Sequence, residues 1–574
     1  MKRNKNYFDD KKWKFKEYKS SSFKSKRISK VILEILSNRN ISNEKQALDF
    51  LYPKFEKLSN PFLLPEMNDA VKIILNAIDL NDKIAIYGDY DVDGISATAL
   101  LQTFFSEIGV DVLTYIPSRT DEGYGINTNA IDTLLAESVK LIITVDCGST
   151  SFKEIKYAKE KGLKVIVTDH HSLKEGSSGY ELPDTDALIN PKLLEQDSPF
   201  YELAGVGVAF YLVRALQTKL TDKFALGQEK WLLDLVALGT ICDVVPLTKD
   251  NRILAKFGLL VLSKSKRTGL VELAKCSGFD LSSVDTYKVG FLLGPRLNAA
   301  GRMEHASTSL KLMLSKEENE SKKFALKLDE LNSYRQEMTE KIVEEARGII
   351  SGLDGERKIY LISGKNWPSG VLGIVASRLV EEYGKPMLIM EENGEGFRGS
   401  ARSIKNFNIL NALADCSEYF VHFGGHSAAA GFSFKKEHFV VLDRKLIKIS
   451  NEKITEEDLK QELFIDSRIE ISDIDDKLMT ELRLLEPFGR ENPKPVFCLN
   501  NINLINYRFV GNQNNHLKLT ASKDNKVING IAFNFGADYP YKQNEVFDLA
   551  VTLEENEWAN QKKKEIRVID IKTV

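Results

Sequence analysis

Apolar residues keep three different rhythms along this chain. Between about residues 66 and 250, short runs rich in β-branched residues recur: "KIAIYG" (83–88), "KLIITV" (140–145) and "LKVIVT" (163–168). Amphipathic stretches such as "ISATALLQTFFSEIG" and "SFKEIKYAKEKG" lie between or beside them. The runs do not alternate polar with apolar, which predicts βαβ units and a parallel sheet buried on both faces. From Ser315 to about Ile350 the spacing becomes helical. Phe324, Leu331 and Met338 recur at seven, and Leu328 and Ile342 share their side. Arg335 interrupts the second row, so this reads as a connecting helix packed along a domain rather than a coiled coil.

"RKIYLISG", "SGVLGIVASRLVEEYG" and "KPMLIMEE" then predict a second, smaller α/β unit. Beyond about Leu463 the helical rhythm stops. "VFCLNNINLINYRFVG", "NHLKLTAS", "KVINGIAFNF", "EVFDLAVTLEEN" and "EIRVIDIK" predict a small β-barrel. The expected organisation is α/β: a basic N-terminal segment and lead-in helix over 1–65, a parallel-sheet domain over 66–314, the connecting helix over 315–350, the smaller α/β domain over 351–455 and the barrel over 456–574.

Polar residues gather where the first strands end. "YGDYDVDG" places Asp89, Asp91 and Asp93 at alternate positions, "TVDCG" supplies Asp146, and "TDHH" supplies Asp169, His170 and His171. Asp243 closes the apolar segment "LVALGTICDVV". Each acid alone reads as a helix cap or turn former. A DxDxDG run also suggests an EF-hand loop, but Leu100 stands where its twelfth-position Glu is required. Crowded carboxylates repel one another unless a positive charge joins them. In parallel sheets, ligands bind beyond the carboxyl ends of the strands. Asp oxygens with a neutral imidazole and no thiolate suit Mn²⁺ or Mg²⁺ rather than structural zinc. The joint pattern therefore predicts a divalent-cation site.

Charge and composition narrow the partners. A net charge of −3 over 574 residues excludes a uniformly basic nucleic-acid coat, but residues 1–30 carry twelve Lys/Arg against three Asp/Glu. That run is either a solvated tail or a tether for a polyanion. Five cysteines without a CxxC pair fit a reducing compartment, and no apolar run reaches the ~18 residues of a membrane span. A cytoplasmic protein with no membrane partner is expected.

The motifs "GDYDVDG", "TVDCG", "TDHH" and "GTICDVVPL", in this order, resemble the DHH phosphoesterases. "IPSRTDEGYG", "GPRLNAAGR", "SGVLGIVASRL", "GSARS" and "FGGHSAAAGF" narrow the resemblance to the RecJ-type single-strand-specific exonucleases. It implies a DHH domain, a DHHA1-like substrate-binding domain and an OB-like barrel. It also implies a two-metal exonuclease that degrades single-stranded DNA 5′→3′ in recombination and repair, with a single-strand-binding protein and a recombination helicase as partners.

Transferred by motif, Asp91 and Asp146 serve one cation and Asp93, Asp146, His170 and Asp243 the other, with Asp146 bridging. Asp89 completes the first set or supports it. His171 faces the substrate as a donor. Arg119, Arg296, Asn298, Arg302, Ser400, Arg402 and His426 are the expected substrate contacts. Two positions depart from the pattern: Tyr87 stands where related pyrophosphatases carry a His, and Pro368 stands where the family often has a His after Trp367. In the barrel, Tyr507, Phe509 and Trp558 are candidate base-stacking residues. Two alternatives remain open at this point: a DHH phosphodiesterase acting on short oligoribonucleotides or cyclic dinucleotides, and a non-catalytic single-strand-binding scaffold.

Overall fold

The computed structural model describes residues 11–16, 24–119, 121–177, 179–353, 357–394, 396–511, 514–536, 545–558 and 561–573. The chain divides into two compact units, one of Lys54–Ile454 and one built from both chain ends, Met1–Pro53 with Thr455–Val574. Residues 1–10 and 17–23 of the basic run lie outside the described residues.

The larger unit is organised on five parallel strands: β1 (Lys83–Gly88), β2 (Val112–Tyr115), β3 (Val139–Val145), β4 (Lys164–Thr168) and β5 (Ala187–Ile189). Their order is β2-β1-β3-β4-β5. Ile84 and Ile86 pack into one core cluster and Ala85 and Tyr87 into another. Both faces of the sheet are therefore covered, which is why its strands read as unbroken apolar runs. Helices α1 (Val92–Glu107), α2 (Gly205–Gln217) and α3 (Leu233–Cys242) cover the Ile84 face. Gly88 pairs with Val145 and Val145 with Thr168, so Asp89, Asp146 and Asp169 leave three neighbouring strands at one level. Between β1 and β3 the strand order reverses, which opens a crevice at the carboxyl ends.

Helix α4 (Gly294–Met303) precedes the long α5 (Glu318–Ser351). Ala325, Leu328 and Leu331 of α5 pack into the core of the parallel-sheet domain, while Ile342, Val343 and Ala346 belong to the next one. The connector is thus anchored at both ends. The second domain carries β6 (Tyr360–Lys365), α6 (Ser369–Tyr383), β7 (Met387–Asn393), β8 (Gly396–Arg402), β9 (Phe420–His426) and β10 (Ala429–Lys435). Its sheet order is β9-β10-β8-β7-β6.

In the smaller unit, β11 (Phe497–Val510), β12 (His516–Lys523), β13 (Lys526–Ala532), β14 (Val546–Trp558) and β15 (Gln561–Thr573) run in the order β11-β12-β13-β15-β14, and β14 pairs back to β11. This closed five-stranded barrel has no free edge. Helices Lys30–Ser37 and Glu44–Leu51 add Ile32, Ile35, Leu36 and Leu51 to the barrel's core. Their amphipathic rhythm is legible locally, but the surface they cover lies over 400 residues away in sequence. No helix among the described residues is long and apolar enough to cross a membrane.

Candidate metal centre and nucleic-acid interface

The capping reading of the first acidic cluster holds for Asp91. Asp91 is the N-cap of α1, and its Oδ1 accepts N–H bonds from Asp93 (2.9 Å) and Gly94 (3.1 Å). Asp93, in the first turn, is buried, and its carboxylate accepts N–H bonds from Gly205 (2.6 Å) and Val206 (3.0 Å), the first residues of α2. A helix N-terminus favours a negative charge there. Glycine permits the close approach: a Cβ on Gly205 would lie 2.6 Å from Asp146 Oδ1, and one on Gly239 2.5 Å from Asp93 Oδ1. Asp146 takes φ +62° and Val244, just after Asp243, φ +57°. Non-glycine residues in this left-handed region are held there by their surroundings.

These elements bring six predicted metal ligands together. His170 Nε2 lies 3.1 Å from Asp146 Oδ1, 3.6 Å from Asp243 Oδ2 and 3.8 Å from Asp93 Oδ2. Donor atoms of Asp89, Asp91 and Asp146 lie within 4.8 Å of one another, as do those of Asp93, His170 and Asp243. Three buried atoms, Asp89 Oδ1, Asp146 Oδ1 and His170 Nε2, make no well-aligned hydrogen bond, although the last two lie 3.1 Å apart. Buried polar atoms are rarely left so. Burial, with Asp91 nearby, pushes Asp93 up to about 7. Burial with Asp93 nearby raises Asp243 likewise to about 7, and Asp89 and Asp146 rise well above the ordinary carboxylate range. Burial lowers His170, favouring the neutral imidazole that ligates metals. A donor set of oxygens and one imidazole, too crowded to ionise fully unaided, fits divalent cations.

His171 differs from its neighbour. Its Nδ1 lies 2.9 Å from Asp169 Oδ1, 3.0 Å from the Tyr124 hydroxyl and 3.7 Å from Asp146 Oδ1. Burial alone would lower its pKa, but the Asp169 hydrogen bond and charge prevail and bring it to about 9. Asp169 also accepts N–H bonds from Ser149, His170 and His171, which orient the whole turn. Tyr124 sits between Gly123 (φ +84°) and Gly125 (φ +87°), and its hydroxyl also donates to Asp146 O at 3.4 Å. The sequence marks Tyr124 only through "EGYG", a bulky residue between two glycines. Tyr87 turns to the opposite face of the sheet, stacks on Tyr115 and donates to Gly125 O at 2.9 Å.

A group of arginines accompanies the carboxylates. Arg302 is lowered to about 9 by burial and by Arg119 and Arg335, while Asp91 partly offsets this. Burial and Arg119 lower Arg402; burial and Arg296 lower Arg335, whose Nε has no hydrogen-bond partner. Arg119 lies 4.9 Å over the Tyr90 ring. Arg302 donates to Gly370 O (3.0 Å), and a Cβ on Gly373 would lie 2.8 Å from Arg402 Nη2 and 3.2 Å from Ser400 Oγ. The first turns of α6 therefore meet Arg302, Ser400 and Arg402 in an arrangement suited to an anion. Pro368 is the N-cap of α6. In register, His426 of β9 faces Ala429 of β10, which faces Arg402 of β8, so the exposed His426 lies two strands from Arg402, about 10 Å. Two expected contacts are engaged within the protein: Arg296 pairs with Asp329 of α5 at 2.8 Å, and Asn298 Oδ1 accepts the Val92 N–H at 3.2 Å. Arg335 is legible in the sequence only as a break in the apolar row of α5.

On the barrel, Tyr507 and Phe509 are partly buried against its core, and the side chain of Trp558 lies outside the described residues. Phe533 is the exposed aromatic here, with the Arg567 guanidinium 5.0 Å over its ring and the His516 ring 5.1 Å away. Arg508, Lys518, Ile531 and Arg567 stand directly opposite one another across β11, β12, β13 and β15, and their three cations are exposed. Like charges opposed in this way cost stability. A cationic row beside an exposed ring suits a single strand, whose phosphates and bases it can hold.

Comparison with known proteins agrees with this architecture. Three family models match: the DHH family N-terminal domain over 83–240, the DHHA1 domain over 355–452 and the RecJ OB domain over 465–570. The single-stranded-DNA-specific exonuclease RecJ of Bacillus subtilis (strain 168) is 37% identical over 547 residues, covering 95% of this chain and 68% of that protein. The protein of the same name from Escherichia coli (strain K12) is 33% identical, covering 88% of this chain and 90% of its own. Among solved structures, RecJ from Thermus thermophilus in complex with Mn²⁺ superposes with a TM-score of 0.83 at 26% identity, covering 99% of this chain and 80% of that one. The strand-end carboxylates and histidines, the arginine cluster and the closed barrel thus occur in a chain that belongs to the RecJ family.

Proposed function

We propose that this protein is a divalent-metal-dependent exonuclease specific for single-stranded DNA, working 5′→3′ in recombination and repair. One observation carries the reading: a buried acidic centre with unpaired donor atoms lies within electrostatic reach of Arg302, in a cluster of arginines. Asp89, Asp91 and Asp146 would hold one cation and Asp93, His170 and Asp243 a second, with Asp146 shared. Divalent cations bound there supply a water nucleophile at neutral pH and neutralise charge on the attacked phosphate. His171, kept protonated by Asp169, donates to the phosphate or to the departing oxygen. Arg119, Arg302, Ser400 and Arg402, with the first turns of α6, hold the terminal phosphate and so define the end from which nucleotides leave. The barrel's Arg508, Lys518, Arg567 and Phe533 retain the strand. A substrate of one or two nucleotides would need no such barrel. A cytosolic location, a single-strand-binding protein and a recombination helicase complete the proposal.

The test is a long single strand labelled at its 3′ end, incubated with the protein and Mn²⁺ beside the matching blunt duplex. Stepwise shortening of the single strand alone, from the unlabelled end, is expected. Tight binding without shortening would leave a binding scaffold, and cleavage confined to dinucleotides would leave a small-substrate phosphodiesterase.

A further inference from the structure

The larger unit carries a second recess, remote from the metal centre. It is a groove of about 880 Å³ that includes Gln102, Thr103, Ser106 and Glu107 in its lining. These residues close the C-terminal end of α1, whereas Asp91 and Asp93 stand at its start. Ten or more residues of helix separate the two ends, roughly 15–20 Å. The floor is apolar: Phe224, Leu232 and Met313 are buried there. Trp231, also in the lining, is 66% exposed. An indole left in water beside an apolar floor is costly for a monomer and common at the anchoring points of protein interfaces.

Cationic side chains share the lining. Thr268 Oγ1 donates to Ser315 O at 2.9 Å, tying the segment that carries Lys264 and Lys266 to the one that carries Lys316. All three lysines are exposed, and no ion pair to any of them is found among the described residues. The groove's buried carboxylate, Asp234, is already occupied by Arg267 (2.9 Å) and Ser265 (2.8 Å). Glu107 at one end is outnumbered. The recess thus offers both apolar depth and unneutralised ammonium groups.

We propose that this groove docks a partner protein through a short acidic segment whose large apolar side chains sit against Trp231, Leu232 and Met313 while its carboxylates meet Lys264, Lys266 and Lys316. Depth favours a peptide over a nucleic acid. A phosphate backbone would find no cation on the aliphatic floor, and the single guanidinium in the groove is consumed by Asp234. Three point-charge lysines in the lining also steer a flexible acidic segment into place.

The experiment uses the full chain and a fluorescein-labelled, amidated probe peptide, Glu-Asp-Asp-Glu-Leu-Phe-Gly, followed by anisotropy at physiological salt. Saturable binding is expected. It should weaken at least tenfold in Trp231→Ala, at least tenfold in the Lys264→Glu, Lys266→Glu double variant, and equally when Leu-Phe of the probe becomes Ser-Ser. Both variants should digest single-stranded DNA at the parent rate, so this result is independent of the nuclease assay above. No saturable binding, unchanged binding by both variants, or displacement of the probe by oligothymidylate would overturn the proposal. The last outcome would assign the groove to the nucleic acid.

Discussion

The metal centre and the barrel's outer face are both rows of like charge set by strand register, yet they behave as opposites. In the metal centre the carboxylates are largely buried, so water does little to relieve their repulsion, and Asp93 and Asp243 hold protons up to about pH 7. On the barrel, Arg508, Lys518 and Arg567 face solvent, where screening makes the same crowding inexpensive. Burial turns a charge cluster into a demand for a particular ligand at fixed positions. Exposure turns it into a salt-sensitive grip that any polyanionic strand can use.

Breaking the buried side should have the largest effect. Asp146→Asn alters the carboxylate proposed to be shared by the two cations, and single-strand cleavage should fall on the order of 10³-fold or more. Anisotropy with labelled oligothymidylate should remain within about threefold, because the grip lies elsewhere. A parallel loss of binding would show that the two regions are not separable. Tyr124→Phe keeps the ring but removes the hydroxyl beside His171, so kcat should drop about 10–100-fold with KM little changed. A rise in KM alone would mean that Tyr124 serves substrate binding instead.

The exposed side should respond more gently. Replacing Arg508, Lys518 and Arg567 with Ala should flatten the dependence of log Kd on log salt by about 2, since each phosphate a cation neutralises on a single strand adds ~0.7 to the slope. Turnover of a saturating short strand should be unchanged. An unaltered salt slope would place the strand on another face of the barrel.

The smallest effect concerns stability. The unfolded chain releases the Asp93 and Asp243 protons near pH 4, while the metal-free folded protein keeps them until about 7. Stability from these groups is therefore complete below about pH 4 and is lost as pH rises to about 7. In EDTA, Tm should fall by about a few degrees across that window, and saturating Mn²⁺ should remove the fall by holding the carboxylates ionised. A Tm that ignores both pH and Mn²⁺ would argue that the carboxylates are not metal ligands.

Much of the architecture is legible without coordinates. The unbroken apolar runs foretell a doubly covered parallel sheet, the loss of helical rhythm after Leu463 foretells the barrel, and the acids and histidines stand at strand ends where such sheets bind ligands. Arg296 and Asn298 show the limit. Their motif marks proximity to the site, but the partner of each side chain, Asp329 or the Val92 amide, depends on packing between α4, α5 and α1. Tyr124 and Arg335 are visible as residues but not as parts of the centre.

What the sequence alone determined is local: which stretches are strands or helices, and which chemistry ends each of them, because periodicity and side-chain type act over a few residues. What only the tertiary structure decided is convergence. Pairing of Gly88 with Val145 and Val145 with Thr168 levels three aspartates, α2 turns its N-terminus onto Asp93, and helices near the start of the chain pack on the barrel built near its end. Those outcomes depend on contacts between residues far apart in the chain, which no local pattern encodes.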